Sequence, residues 1–524
     1  MIRHQTNSSF AVSHNVAQAM LSTGADSAVA LLHKHSSLTY GQLRESVTRV
    51  ASELLALGHL KGDRIAILSE NCLFQVIAYL AVIRAGLVAV PLPPELSIET
   101  LTNIARDAGI KDAFVSNRSL GRARAWTAAA QLRIISEADV CAFRRDPTGA
   151  FPEIDPAWDL AALMFTSGST GAPKGVMISH RNIDCNARDI ISYMGLTAVD
   201  RVMVVLPFHY CFGASLLHTH LLAGGSLVLN DDFKLFPEAT LQELQRTACT
   251  GLAGVPSTYQ ILLRKSRFTQ MSFPSLRWFQ QAGGKLPNAF IQELLGSFPG
   301  VRFFLMYGQT EATARLSYLP PARLADKLGS VGCGLPSTKL EVVEPNGTAV
   351  TPGSKETGEI VAAGENVALG YWNDPEETSK FFKHGKLHTG DIARVDSEGF
   401  IFIVEREREL IKSGGNRVSA KEVEDIIAGL PQVVEVAVLG APDDILGEAI
   451  HVFIELAPSA SLTLQDVRAH CHRRLPAFKV PHEVHFIDRM PHNSSGKILK
   501  LKLKEILRAR DPDQHAIAPC LAST

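Results

Sequence analysis

Cysteine is scarce in this chain and poorly spaced for metal or disulfide work. The eight residues, at 72, 141, 185, 211, 249, 333, 471 and 520, form no CxxC pair and no metal-ligand spacing. That argues against a zinc site or a disulfide framework and leads to an expectation of reduced thiols in a cytoplasmic protein. An excess of charge is also missing. Lys plus Arg number 52 against 53 Asp plus Glu, a formal net charge of -1, so there is no chain-wide attraction to nucleic acid or an anionic membrane, and no nucleic-acid partner is expected. Long apolar runs are absent too. The most apolar stretch, Phe74 to Leu92, is broken by Gln75, Arg84, Gly86 and Pro91, and reads as a buried helix turning into a strand rather than a membrane span. The segment Met1 to Leu21 lacks the continuous apolar region of a secretory signal.

What the chain does have is core material. At 524 residues, 46% hydrophobic and 20% charged, it exceeds what one hydrophobic core usually spans, so two or more domains are expected. Alternating apolar runs and helical patterns point to α/β layers. Leu160 to Thr166 reads as a buried strand, and Ser179 as the cap of a helix with Ile183, Ala187, Ile190, Ile191 and Met194 at helical spacing. Ser226 to Leu229, Phe303 to Met306 and Glu359 to Ala362 read as further strands. Val404 to Ser419 packs charges and then two glycines into one connection, a composition suited to a hinge. Beyond it we expect a helix at Ala420 to Leu430, strands at Val433 to Leu439 and His451 to Leu456, and a helix capped by Thr463. The fold class is therefore α/β: a large multi-layer N-terminal domain over residues 1–407, a small mobile α+β lid over 408–510, and a loosely ordered tail at 511–524.

The segment Thr166 to Gly175, TSGSTGAPKG, holds three glycines, four hydroxyl side chains and one lysine. Its backbone N–H groups and hydroxyls can surround phosphate oxygens while Lys174 supplies positive charge. Pro173 occupies the place where a Walker A loop needs glycine, so this is a different phosphate loop. Further on, Tyr307-Gly-Gln-Thr-Glu311 offers an aromatic face, a hydroxyl and a carboxylate. Thr389-Gly-Asp391 offers a carboxylate after a turn, and Asn493-Ser-Ser-Gly-Lys497 a lysine among small polar residues. Each of the last three alone is compatible with an ordinary turn or a solvent-facing lysine.

Taken in order, these segments resemble the adenylate-forming superfamily of acyl-CoA synthetases, peptide-synthetase adenylation domains and firefly luciferase. The resemblance spans nearly the whole chain and includes Asn71 to Pro94 as the family's early helix and strand. It implies an AMP-forming ligase that joins a carboxylic acid to AMP and then to a thiol, with ATP, Mg²⁺ and CoA as cofactors or co-substrates. Thr166, Ser167, Gly168, Ser169, Thr170, Gly171 and Lys174 would hold phosphates, and Gly283, Gly284 and Tyr307 would lie along the adenine. Asp391 and Arg406 would hold the ribose, Thr310 a phosphate, and Glu311 the metal ion. Lys497 would serve adenylation, and Lys412 the thioester step after the small domain turns. His209, Phe212 and Gly308 would border the acid, in or near Leu206 to Gly213, a segment like the family's LPxFH type.

Two departures stand out. The family usually has Gly before the ribose-binding Arg and Asp or Lys at the hinge, whereas this chain has Glu405 and Arg408. An FDxS-like segment typical of amino-acid-activating domains is missing, which together with Pro476 to Pro481 favours an acid without an α-amino group. The acceptor is expected to be CoA. The alternatives are the phosphopantetheine of a carrier protein and, more remotely, a luciferase-like oxygenase.

Overall fold

The computed structural model describes residues 15–144, 150–167, 173–404, 410–493 and 496–510. They fall into two compact units. The first comprises the described residues of Met1–Gly254, Met271–Gly283 and Gly300–Val404; the second comprises those of Val255–Gln270, Gly284–Pro299 and Glu405–Thr524. The expected tail at 511–524 lies outside the described residues.

The first unit is built on three sheets. The largest has nine strands, in the order Cys333–Gly334, Ser317–Leu319, Arg302–Tyr307, Trp278–Gln281, Gly251–Gly254, Arg201–Val204, Ser226–Leu229, Val29–His33 and Ser36–Thr39. Its six inner strands pair in parallel, and its outer pairs are antiparallel. A six-stranded sheet runs Arg133–Ser136, Asp112–Val115, Arg64–Leu68, Val88–Leu92, Leu160–Ser167 and Pro173–Ser179, parallel except for the last pair. Parallel strands need crossover helices, which cover both faces and leave continuous apolar strands such as Val88–Leu92 and Ser226–Leu229 buried at every position. The third sheet is antiparallel and carries Gly358–Gly364 and Lys386–Val395 side by side. This is the α/β architecture that the alternating pattern implied.

Local chemistry sets the element ends. Phe74 to Leu92 divides into the helix Leu73–Arg84 and the strand Val88–Leu92, the break falling at Gly86 with φ 74°. Ser179 caps the helix His180–Met194 through a reciprocal box: the Asn182 N–H donates to the Ser179 hydroxyl at 3.2 Å, and the Ser179 N–H to Asn182 Oδ1 at 2.9 Å. Helix Cys211–Leu222 is buried on nearly every side, so its apolar residues are not confined to one stripe. Among the described residues no helix is long and apolar enough to cross a membrane, and none of the described cysteines is in a disulfide.

The second unit holds a five-stranded mixed sheet of Asn416–Val418, Ile411–Ser413, Gly447–Leu456, Val433–Asp443 and Glu483–Phe486. Thr463 caps the helix Leu464–His472 as its sequence indicates. Two expectations needed adjustment. The helix starting at Ala420 ends at Ile427, where the backbone turns through Gly429. The strand expected to stop at Leu439 continues to Asp443, because the whole of Gly447–Leu456 returns beside it as a hairpin. Non-local pairing of this kind leaves no periodic mark in either strand.

Candidate active site

Strands Leu160–Ser167 and Pro173–Ser179 are antiparallel neighbours with Thr166 opposite Lys174. Gly168, Ser169, Thr170 and Gly171, which the sequence assigns to phosphates, lie outside the described residues, and of Ser167 only the backbone is described. The distant segment Leu369 to Trp372 runs along the second strand. Met177 N–H donates to Gly370 O at 2.9 Å, Leu369 N–H to Met177 O at 2.9 Å, and Trp372 N–H to Gly175 O at 2.7 Å, which sets Tyr371 opposite Val176. A helix then starts at Pro375, with Asp374 as its cap and proline in its first turn. That turn brings Glu377 to the Lys174 ammonium, with which it forms an ion pair.

Lys174 is therefore enclosed. Besides Glu377 it faces the Tyr371 ring at 5.5 Å and the Phe381 ring at 5.9 Å. The Lys174 ammonium, and Lys380 after it, hold the Glu377 carboxyl down at about 2. A carboxyl depressed in the fold adds stability above its ordinary value of 4.5 and loses it as the pH falls toward 2. Glu377→Gln is accordingly expected to melt at a lower temperature than the parent at pH 7, with the gap narrowing below about pH 4.5. Thermal melts across that range check it, and a gap that did not change with pH would mean that the pair is not what links this helix to the strand.

The Tyr371 hydroxyl donates to Glu311 Oε1 at 2.8 Å. Burial, and then the Glu311 carboxylate, push the Tyr371 phenol above its ordinary value, which keeps the proton on the tyrosine. Glu311 sits in the short turn Thr310–Ala312 after the strand Arg302–Tyr307, and its own carbonyl accepts from the Ala368 N–H at 2.9 Å. Between strand and turn, Gly308 lets the chain close on itself: a Cβ there would stand 2.0 Å from the Ala314 carbonyl oxygen. At the strand's end the Tyr307 hydroxyl donates to Asp391 Oδ2 at 2.7 Å, with Asp391 on the strand Lys386–Val395. Glu377, Lys174, Tyr371 and Glu311 thus form one chain of contacts, and the residue four before Glu311 touches Asp391. Arg406, assigned with Asp391 to the ribose, lies outside the described residues, as do Glu405 and Arg408.

His209 and Phe212 are both buried. Asn71 shapes their segment, its Nδ2 donating to Leu206 O at 2.8 Å while its Oδ1 accepts from the Phe208 N–H at 3.1 Å. Among the described residues neither ring nitrogen of His209 has a hydrogen-bond partner. Burial, and then Lys234, bring it down to about 3, so the imidazole is neutral at pH 7. Gly283, with φ 87°, closes the turn after the strand Trp278–Gln281. Gly284 belongs to the second unit, where a Cβ would stand 3.3 Å from the Pro256 ring.

Lys412 and Lys497 both belong to the second unit and both are exposed. Lys412 lies on Ile411–Ser413, its N–H bonded to Glu448 Oε2 at 2.7 Å. Lys497 sits in a closed loop: its N–H donates to Asn493 Oδ1 at 2.9 Å, and its carbonyl accepts from the Asn493 N–H at 2.9 Å. The neighbouring Gly496 carbonyl accepts from the Ser257 hydroxyl at 3.0 Å, next to the start of the helix Pro256–Lys265.

Sequence reasoning did not single out Tyr371 or Glu377. A partner 203 positions away from Lys174 leaves no local signal. Among the described residues no group of three or more His, Cys, Asp or Glu could hold a metal ion. Glu311 is a single carboxylate with one oxygen engaged by Tyr371. That fits a Mg²⁺ ion whose other ligands are phosphates and waters.

The model of the AMP-binding enzyme family matches residues 18–372, and that of the AMP-binding enzyme C-terminal domain matches residues 422–497. A feruloyl-CoA synthase from Amycolatopsis sp is 34% identical over 474 residues, covering 90% of this chain and 94% of its own. A long-chain-fatty-acid–CoA ligase from Escherichia coli O157:H7 is 31% identical over 518 residues, covering 90% and 91%. The crystal structure of the anthranilate CoA ligase AuaEII in complex with anthranoyl-AMP superposes with a TM-score of 0.86 at 25% identity, covering 95% of this chain and 98% of that one.

Proposed function

Since the chain belongs to the AMP-binding enzyme family and is an AMP-forming acid–thiol ligase, we propose that its first unit holds ATP and a carboxylic acid, and that CoA is the thiol acceptor. The observation that carries the assignment of the site is the contact chain from Glu377 through Lys174 and Tyr371 to Glu311, with Tyr307 and Asp391 beside it.

In the first step an oxygen of the acid attacks the α-phosphorus, the bond to the bridging oxygen of the β-phosphate breaks, and pyrophosphate leaves. Lys174 shifts from Glu377 toward the phosphates, the loop beside Thr166 wraps them with N–H groups and hydroxyls, and Thr310 adds a hydroxyl. Tyr307 lies along the purine, and Asp391 accepts from the ribose hydroxyls together with Arg406. Glu311 would hold Mg²⁺ against the phosphates, where the ion offsets their charge. Lys497 stabilises the charge shared by the attacking carboxylate and the α-phosphate. In the second step the thiolate sulfur attacks the acyl carbon, AMP leaves with the electron pair of the acyl–oxygen bond, and Lys412 serves this step. His209 and Phe212 border the acid, and the buried imidazole is neutral there.

Pyrophosphate release from ATP with a panel of aryl, fatty and dicarboxylic acids tests this reading, followed by mass spectrometry after CoA is added. The expected result is release that depends on the acid and a product with the mass of the acyl-CoA. No release with any acid from folded protein overturns the assignment. A thioester that formed only on a carrier protein's pantetheine would replace CoA as the acceptor.

A further inference from the structure

The contacts that carry the nucleotide reading stop at the turn Thr310–Ala312, yet the chain just beyond it is held with unusual firmness. Thr313 and Ala314 have φ 64° and 151°, values that residues with side chains rarely adopt. Thr313 Oγ1 donates to Asn366 O at 2.7 Å, and the Arg315 carbonyl accepts from both Asn186 Nδ2 and Asn366 Nδ2 at 2.9 Å. Strain that three side chains hold in place is characteristic of functional positions. Here it directs one side chain inward.

That side chain is Arg315, 1% exposed. Its guanidinium lies 4.0 Å above the centre of the Phe212 ring, its Nε donates to Met306 Sδ at 3.2 Å, and its Nη2 is buried without a hydrogen-bond partner among the described residues. The titratable groups that face it are the phenol of Tyr193, which also hydrogen-bonds to the guanidinium, the phenol of Tyr210 and the thiol of Cys211. Among the described residues no carboxylate pairs with it, and burial pushes the guanidinium below its ordinary value. Buried charges are otherwise paired with an opposite charge, because an aromatic face, a thioether and a phenol return only part of the hydration that an ion loses in an apolar interior. A methionine of similar length would pack on Phe212 and Met306 without that loss. Phe212 also lies in the Leu206 to Gly213 segment assigned to the acid, which sets the cation beside the acyl group rather than the phosphates.

We propose that Arg315 receives a second carboxylate, carried at the far end of the acid substrate, and so selects acids whose acyl group is itself anionic. The guanidinium fork presents its N–H donors to both oxygens of that carboxylate, and Phe212 and Met306 flank the acyl chain near it. This inference rests on the acid–thiol ligase reading and names its substrate class.

ATP–pyrophosphate exchange with matched acids of equal length, one dicarboxylic and one monocarboxylic, tests it. The parent enzyme is expected to favour the diacid of at least one pair by about tenfold or more in kcat/KM, because a site built to bond a polar group discriminates against the analogue that lacks it. Arg315→Met is expected to lose that preference while using the monoacid as well as the parent or better, and Arg315→Lys to keep part of it. An equal loss with both acids in Arg315→Met would mark the residue as structural. The parent's own ranking needs no variant: exchange confined to monoacids overturns this inference alone, and exchange with no acid overturns the ligase reading and this inference together.

Discussion

Lys497→Ala is expected to lower ATP–pyrophosphate exchange by about 10²–10³-fold while leaving CoA attack on supplied acyl adenylate within a few-fold of the parent. The charge to be stabilised in the first step is spread over the attacking carboxylate and the α-phosphate, and a single cation aimed at such a centre accounts for losses of that size when it is removed. The Lys497 loop is suited to aiming it. Asn493 closes the loop at both ends through Lys497, and Gly496, with φ 80°, sits against Ser257. An alanine at 497 leaves those backbone bonds intact, so the loss reports on the ammonium group and not on the loop. Lys412→Ala is expected to give the reverse pattern: exchange close to the parent and thioester formation slowed by about 10²-fold. The two lysines lie on different elements of one unit, Lys412 on a hairpin strand anchored by Glu448 and Lys497 in the loop before the helix Lys500–Arg510. Separate half-reactions measured on both variants check the division of labour. Equal losses in both steps from either variant would falsify it.

How much of this could be read from the sequence depends on how local the causes are. Ser226–Leu229 was legible to the residue because a buried parallel strand is a short apolar run between polar or glycine-rich bounds. The helices after Ser179 and Thr463 were legible because capping is written into residues three positions apart. Glu311, Asp391 and Lys497 were assigned through ordered motifs, each of which alone reads as a turn or a solvated lysine, and Lys412 through the family resemblance. The contacts that organise them were hidden. Tyr371 reaches Glu311 and Glu377 reaches Lys174 only because Leu369 to Trp372 lies along a strand far earlier in the chain. Phe212 read as a plausible wall for an acyl group, but nothing in the sequence placed a guanidinium on its ring. Arg315 follows the YGQTE segment as an unremarkable charge. It is buried directly after two residues of positive φ, Thr313 and Ala314, a conformation that neither residue type advertises. Grouping of the helices Pro256–Lys265 and Asn288–Ser297 with the C-terminal residues was likewise invisible, since it depends on contacts between distant parts of the chain such as that of Ser257 with Gly496.

Glu311→Gln is expected to lower exchange by about 10²-fold and to move the Mg²⁺ dependence to higher concentration. The substitution keeps the size of the side chain, and the amide oxygen can still accept from the Tyr371 hydroxyl, so the 2.8 Å contact survives and only the negative charge goes. In the parent, that hydroxyl engages Oε1, and the other carboxylate oxygen bonds to no described residue, which leaves it available for a cation. Tyr371→Phe makes the complementary change. It removes the donor that orients Glu311 but keeps the charge, and the ring that faces Lys174 also remains. A hydrogen bond to a charged group contributes about 1.5–3 kcal/mol, but Glu311 keeps its turn and its backbone bond from Ala368. A loss of no more than about tenfold is therefore expected, with the Mg²⁺ dependence unchanged. Titrating Mg²⁺ at saturating ATP for the parent and both variants separates charge from orientation. If Glu311→Gln saturated at the parent's Mg²⁺ concentration, the carboxylate would act on the turn and not on the ion. If Tyr371→Phe shifted the Mg²⁺ dependence as far as Glu311→Gln, the phenol rather than the carboxylate's charge would govern how the cation is held.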